Sequence, residues 1–143
     1  VTTPLDDDEI ALWHAFKRAG EAVRAAVAED ITRATGLSDP DFGILTRLLD
    51  AGGCQRQNEL ATSLGWHRSR LSHQLTRMAG RGLVTRAGVG GGVEVAVTEA
   101  GSDLAEAARP VHAAAVRAHL LDRLPDDERA HLAALLTALA ERS

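Results

Sequence analysis

Arg70, His73 and Arg77 recur three and four residues apart, with Ser69 and Ser72 beside them. At about 100° per residue these three side chains share one helical arc, and Leu71, Leu75 and Met78 share another about 140° away. Reading a nucleic-acid duplex calls for this division. An apolar side anchors the helix, and an outward Arg grips the N7 and O6 acceptors of guanine in the major groove. The hydroxyls of Ser69 and Ser72 suit phosphates or bases near the amino end of such a helix, and Arg68, Arg81 and Arg86 are placed to add backbone contacts. No carboxylate occurs between Glu59 and Glu94, although the chain as a whole carries a net charge of -4. Net charge speaks to solubility, whereas a binding face is local. The plain alternative is a solvated charged face.

Other constellations are weaker. His112 and His119 share a helical face and His131 follows on the next helix. Imidazoles suit zinc, but a spacing of seven is not the usual one for two ligands on a helix. No Cys or firm carboxylate stands beside them, so interface or solvated histidines are expected, and no metal. Gly88 to Gly92 precedes a strand and lacks the Lys and Ser/Thr that follow a nucleotide loop. Ser69 and His73 lie one turn apart with no acid to orient the imidazole, so neither hydrolysis nor a cofactor is expected. Cys54, the one cysteine, forms no internal disulfide and is expected as an inert thiol in a loop between the second and third helices. Trp13, His14 and Phe16, with Phe42, gather three of the four aromatic residues and are candidates for a small-molecule pocket. The alternative is that they are simply core.

The elements that position these groups follow from periodicity and caps. The 143 residues, 45% of them hydrophobic, suit a single folding unit. No apolar run approaches the roughly 18 residues of a membrane span, which points to a soluble protein. The lone Cys and the lack of a secretory leader place it in the cytoplasm, with an initiator residue expected before Val1. Residues 1–53 carry 5 basic and 10 acidic side chains, residues 54–98 carry 6 and 2, and residues 99–143 carry 5 and 8. The basic middle is thus flanked by acidic ends. Ile10, Trp13, Phe16, Val23, Val27 and Ile31 predict a first helix over 6–35, ended by Gly36. Asp39 as N-cap and Pro40 open a second helix, with Phe42, Leu45, Leu48 and Leu49 inward. Helices over about 57–64 and 68–81, joined through Gly65 and Trp66, suggest helix-turn-helix. Residues 83–98 switch to a period of two and read as a hairpin, the shape of a wing. Thr98 caps a fifth helix that Pro110 should bend rather than break, and Pro125 opens a last helix striped by Leu132, Leu135, Leu136 and Leu139.

The expected fold is therefore mainly α with a small two-stranded wing (α+β). A winged helix-turn-helix part covers 37–98, and a helical dimerisation part covers 1–36 and 99–143, within one domain over 1–143. The terminal helices carry more apolar surface than the middle covers. A two-fold homodimer satisfies them, and an intramolecular bundle is the alternative.

The segment NELATSLGWHRSRLSHQLTRMAGRGLV (58–84), the hairpin and VTEAG (97–101) together resemble the winged helix-turn-helix of MarR-type bacterial transcriptional regulators. In that resemblance Glu59, Leu60, Ala61, Leu64 and Gly65 match the helix before the turn. Ser69, Leu71, Ser72, Leu75 and Arg77 match the recognition helix, and Gly82, Leu83, Val84 and Arg86 the start of the wing. It implies a homodimer on pseudo-palindromic double-stranded DNA, usually a repressor. It also implies release by a small, often aromatic or phenolic, effector bound between the dimer helices and the winged domain. Two positions depart from the family pattern. The wing tip, Gly88 to Gly92, lacks the usual Asp-Arg pair, so DNA binding is expected to rely more on the recognition helix. A protein-interaction or small-molecule-binding module with weakened DNA binding is the alternative. His67 stands where the family often has an Asp or Ser cap; protonated, it would oppose the helix dipole yet attract phosphate, so binding is expected to strengthen at acidic pH. Relatives that sense oxidants use a Cys in the first helix, where this chain has none.

Overall fold

Local capping and turn chemistry decide where each element begins in the computed structural model, which describes residues 2–141. The elements run α1 (Asp7–Thr35), α2 (Asp39–Asp50), β1 (Cys54–Arg56), α3 (Gln57–Leu64), α4 (Arg68–Gly80), β2 (Val84–Val89), β3 (Gly92–Val97), α5 (Glu99–His119) and α6 (Asp126–Ala140), with a 3-10 turn at Leu121–Arg123 before α6. No described helix is long and apolar enough to cross a membrane. The chain forms two compact units, residues 31–111 and residues 1–30 with 112–143.

In the unit of residues 31–111, α2 is capped by Ser38, not by Asp39 as the sequence suggested. The Ser38 hydroxyl accepts from the Asp41 amide at 3.1 Å, and the Asp41 carboxylate accepts from the Ser38 amide at 2.9 Å. This reciprocal box satisfies two amide donors at once and so outcompetes a cap one residue later. Phe42, Leu45 and Leu48 point inward as expected; Ile44 joins them and Leu49 is only half-buried.

The sheet has three antiparallel strands in the order β1-β3-β2, one more than the expected two-stranded wing. The segment read as a loop around Cys54 pairs with β3, in the register Cys54 with Ala96 and Arg56 with Glu94. Cys54 is consequently an exposed strand residue. The hairpin turns on Gly90 and Gly91, both at positive φ (54° and 80°), as a two-residue turn that follows strand twist requires.

Thr98 caps α5 as expected: its Oγ1 accepts from the Gly101 amide at 3.0 Å and donates back to the Gly82 carbonyl at 2.6 Å. The helix runs through Pro110 without interruption. Gly101 faces the Leu83 carbonyl so closely that a Cβ there would overlap its oxygen. The absence of a side chain thus lets the start of α5 lie against the root of the wing.

In the other unit, Asp6 and Glu9 exchange backbone-to-side-chain bonds of 3.0 and 2.8 Å at the start of α1. His119 Nε2 lies 2.8 Å from Asp30 Oδ2. The apolar residues of α1 and α6 are largely uncovered within the chain: Trp13 is 52% exposed, Phe16 51% and Leu139 66%.

Gly101→Ala is expected to lower unfolding stability by about 1–3 kcal/mol, the usual cost of forcing atoms into a filled contact. Urea denaturation checks this, with Asp103→Ala, an exposed position on the same helix, staying within about 0.5 kcal/mol.

Candidate nucleic-acid interface

The turn before α4 is made by Gly65 in the left-handed region at φ 68°. The Trp66 amide returns to the Ala61 carbonyl at 3.0 Å, closing α3 and redirecting the chain within three residues. His67 is the N-cap of α4, as the sequence placed it, and makes no side-chain capping bond. Leu71, Leu75 and Met78 are fully buried. Arg68, Ser69, Arg70, His73 and Arg77 are exposed, and Ser72 is half-buried. The division into an anchored and an open face read from the sequence is therefore present in the structure.

A buried acid holds this helix in place. Asp41 is only 2% exposed, and beyond its capping bond it accepts from Gln74 Nε2 at 2.7 Å and from Arg81 Nη1 at 2.6 Å. Gln74 Oε1 in turn accepts from Arg77 Nη2 at 2.6 Å. The start of α2 is thus tied to the middle and end of α4, and one outward guanidinium is held by a buried amide. A buried carboxylate with three donors has its charge well compensated. Arg81, read from the sequence as a backbone-contacting cation, spends one arm on this ion pair and reaches the Gly36 carbonyl at 3.3 Å with another. Its side chain stays 46% exposed. The sequence reading missed Asp41 and Gln74. The available signals were Ser38 three residues before Asp41, a capping-box spacing, and Gln74 standing among the apolar positions of α4.

Two more cations are oriented by neighbours. The Arg70 guanidinium lies 3.8 Å from the ring centre of Trp66, so this tryptophan packs the turn and also carries one of the outward arginines. Arg86 Nη2 donates to Thr76 Oγ1 at 2.9 Å, linking the base of the wing to α4. Arg56 was not singled out in the sequence. From β1 it lies over the wing tip, its Nη1 2.6 Å from where a Cβ on Gly92 would stand.

The remaining candidates are placed as follows. Trp13 and Phe16 stack with ring centres 6.2 Å apart, and Lys17 Nζ lies 5.3 Å from the Trp13 ring centre. His14 lines a groove on the same helix with Lys17, Arg18 and Glu21. Phe42 is buried in the other unit. Among the described residues no group of three or more His, Cys, Asp or Glu side chains could hold a metal ion; His119 instead faces Asp30.

Comparison with known proteins bears on this geometry. A model of the MarR family matches residues 37–87. The crystal structure of AbsC, a MarR family transcriptional regulator from Streptomyces coelicolor, is similar at 31% identity over 97% of this chain and 96% of that one, with a TM-score of 0.87. Sco3205, a MarR family transcriptional regulator from the same organism in complex with DNA, is similar at 26% identity over 99% and 91% of the two chains, with a TM-score of 0.89. The transcriptional repressor CouR, bound to p-coumaroyl-CoA, is similar at 26% identity over 98% and 100%, with a TM-score of 0.82. No curated protein matches the chain.

Asp41→Ala is expected to cost about 2–3 kcal/mol, less than a fully buried pair because the hydrated Arg81 recovers solvent when released. Arg81→Ala should cost about 1 kcal/mol, since Asp41 keeps two of its donors. Chemical denaturation of both single variants and the double variant measures the coupling directly.

Proposed function

The chain belongs to the MarR family of transcriptional regulators, and from that premise we propose that it is a homodimeric, sequence-specific DNA-binding repressor of the cytoplasm, released by a small aromatic or phenolic effector and without catalytic activity. The two-faced helix α4 carries this reading: three fully buried apolar residues anchor it, and Arg68, Ser69, Arg70, His73 and Arg77 stand open to solvent. Arg70, His73 and Arg77, with Ser69 and Ser72, read or position on bases and phosphates. Arg68 and Arg86 add backbone contacts, and Arg81 contributes what its ion pair leaves free. The similarity to Sco3205, determined with DNA, supports the partner.

The exposed Ile10, Leu12, Trp13 and Phe16 of α1 and Leu135, Leu136 and Leu139 of α6 support the dimer. Seven large apolar side chains in one unit exceed what a monomer ordinarily leaves wet, and a second copy supplies the same surface in return. On this reading residues 37–98 bind DNA, and 1–36 with 99–143 pair the two chains. Two recognition helices then enter successive major grooves about 34 Å apart on one face of a pseudo-palindrome. CouR with p-coumaroyl-CoA supports the effector, as does the exposed Trp13–Phe16 stack with His14 beside it, whereas Phe42 is buried among the core residues of its own unit.

An anisotropy titration against duplexes retained by the purified protein tests the reading. Arg70→Ala with Arg77→Ala should weaken binding at least about 30-fold, at about 1–3 kcal/mol per base-reading arginine, and affinity should fall steeply with salt. Unchanged affinity in that variant removes the assignment, and flat salt dependence with an intact dimer favours an interaction module instead. In sedimentation velocity the native chain should run as a dimer, and Leu135→Glu with Leu139→Glu should convert it to monomer, because two buried carboxylates without partners outweigh the remaining apolar contact.

A further inference from the structure

We propose that Arg56 is the DNA-contacting cation of the wing, delivered from β1 to a hairpin tip that has no charged residue of its own; the proposal rests on the DNA-binding reading above and names a further contact for it. The tip sequence Gly88 to Gly92 is uncharged, and Arg86 at its base is engaged by Thr76. Arg56 precedes the tip by more than thirty residues, yet its guanidinium occupies it. A Cβ on Gly92 would lie 2.6 Å from Arg56 Nη1, and one on Gly90 would lie 3.2 Å from Nη2. Gly92 is not at positive φ, so nothing in its backbone demands glycine. What the missing side chain provides is room for the guanidinium.

Two further observations point away from a structural purpose for this arginine. Arg56 is the N-cap of α3, a position where Ser, Thr, Asp or Asn would accept an amide bond, and it makes no such bond. A cation there also opposes the positive end of the helix dipole, so relative to a capping residue it costs stability of order 1 kcal/mol. Nor is the charge spent internally. Among the described residues the Arg56 side chain has no hydrogen bond or ion pair, although Glu94 is its partner in strand register. An exposed guanidinium that caps nothing, pairs with no acid and rests on a bare glycine turn is suited to an anionic partner. Beside a helix that enters the major groove, that partner is the phosphate backbone or the minor-groove edge of the same duplex.

The test compares Arg56→Ala, Arg56→Lys and Gly92→Ala with Arg70→Ala on one fluorescein-labelled duplex recovered by retention on the purified protein, across a salt series. Arg56→Ala is expected to weaken binding about fivefold to tenfold and to reduce the magnitude of the log–log salt slope by about 1. Gly92→Ala, which displaces the guanidinium without deleting it, should give an intermediate loss. Rescue by Arg56→Lys with no preference among flanking base pairs assigns the contact to phosphate. Loss confined to duplexes with A·T flanks, unrescued by Lys, assigns it to the minor groove. Circular dichroism and sedimentation of the variants should match those of the native protein. Unchanged affinity and slope in Arg56→Ala, while Arg70→Ala loses binding, overturns the proposal and leaves the regulator reading standing. If Arg70→Ala is also silent, both fall.

Discussion

The carboxylate of Asp41 is the constraint on which the helix-turn-helix part of the molecule depends. Almost fully buried, it joins the first turn of α2 to α4 through bonds to the Ser38 amide, Gln74 and Arg81. The apolar contacts of Leu71, Leu75 and Met78 hold α4 to the core, but hydrophobic burial has no direction. A charge with three aimed donors does have direction. It fixes the rotation of the helix about its axis, and through Gln74 it reaches the outward guanidinium of Arg77. Cation–π contact of Arg70 with Trp66 orients a second arginine by a separate route. An arginine side chain restrained before it meets its ligand loses less rotamer freedom on binding.

Much of this was legible in the amino-acid order, and the remainder was hidden for identifiable reasons. The ranges of α3 and α4 followed from glycine positions and apolar spacing, both local signals. The strand β1 was not legible, because three residues of sequence Cys-Gln-Arg carry neither alternation nor an apolar face, and they become a strand only through a partner forty residues on. The N-cap of α2 was misplaced by one residue because Ser38 and Asp39 are both good caps. The choice between them depends on which one places an acid three residues later. Asp41 and Arg56 were not singled out for the same kind of reason. Each acts on residues more than thirty positions away, Gln74 and Arg81 in one case and Gly90 and Gly92 in the other.

The charge arrangement explains how an acidic chain can carry a basic face. The stretch between Glu59 and Glu94 has no acid of its own, and the carboxylate packed beneath α4, from Asp41, is consumed by Arg81. Nearly all the cations are arginine, Lys17 being the one lysine, and a guanidinium stays charged across any physiological pH. The face is therefore a permanent electrostatic feature.

The three-residue length of β1 has a consequence for the hairpin. β1 supports β3 at Glu94, Val95 and Ala96, so the outer rungs, Gly88 with Val93 and Val89 with Gly92, are held by β2 and β3 alone. A two-stranded ribbon is marginal in water, and glycine occupies half of those four positions. The amides of these rungs should open to hydrogen exchange well before those at the root, as a local melting separate from global unfolding. The Arg56 side chain lies beside this end of the ribbon, on an edge that no ladder of backbone bonds holds.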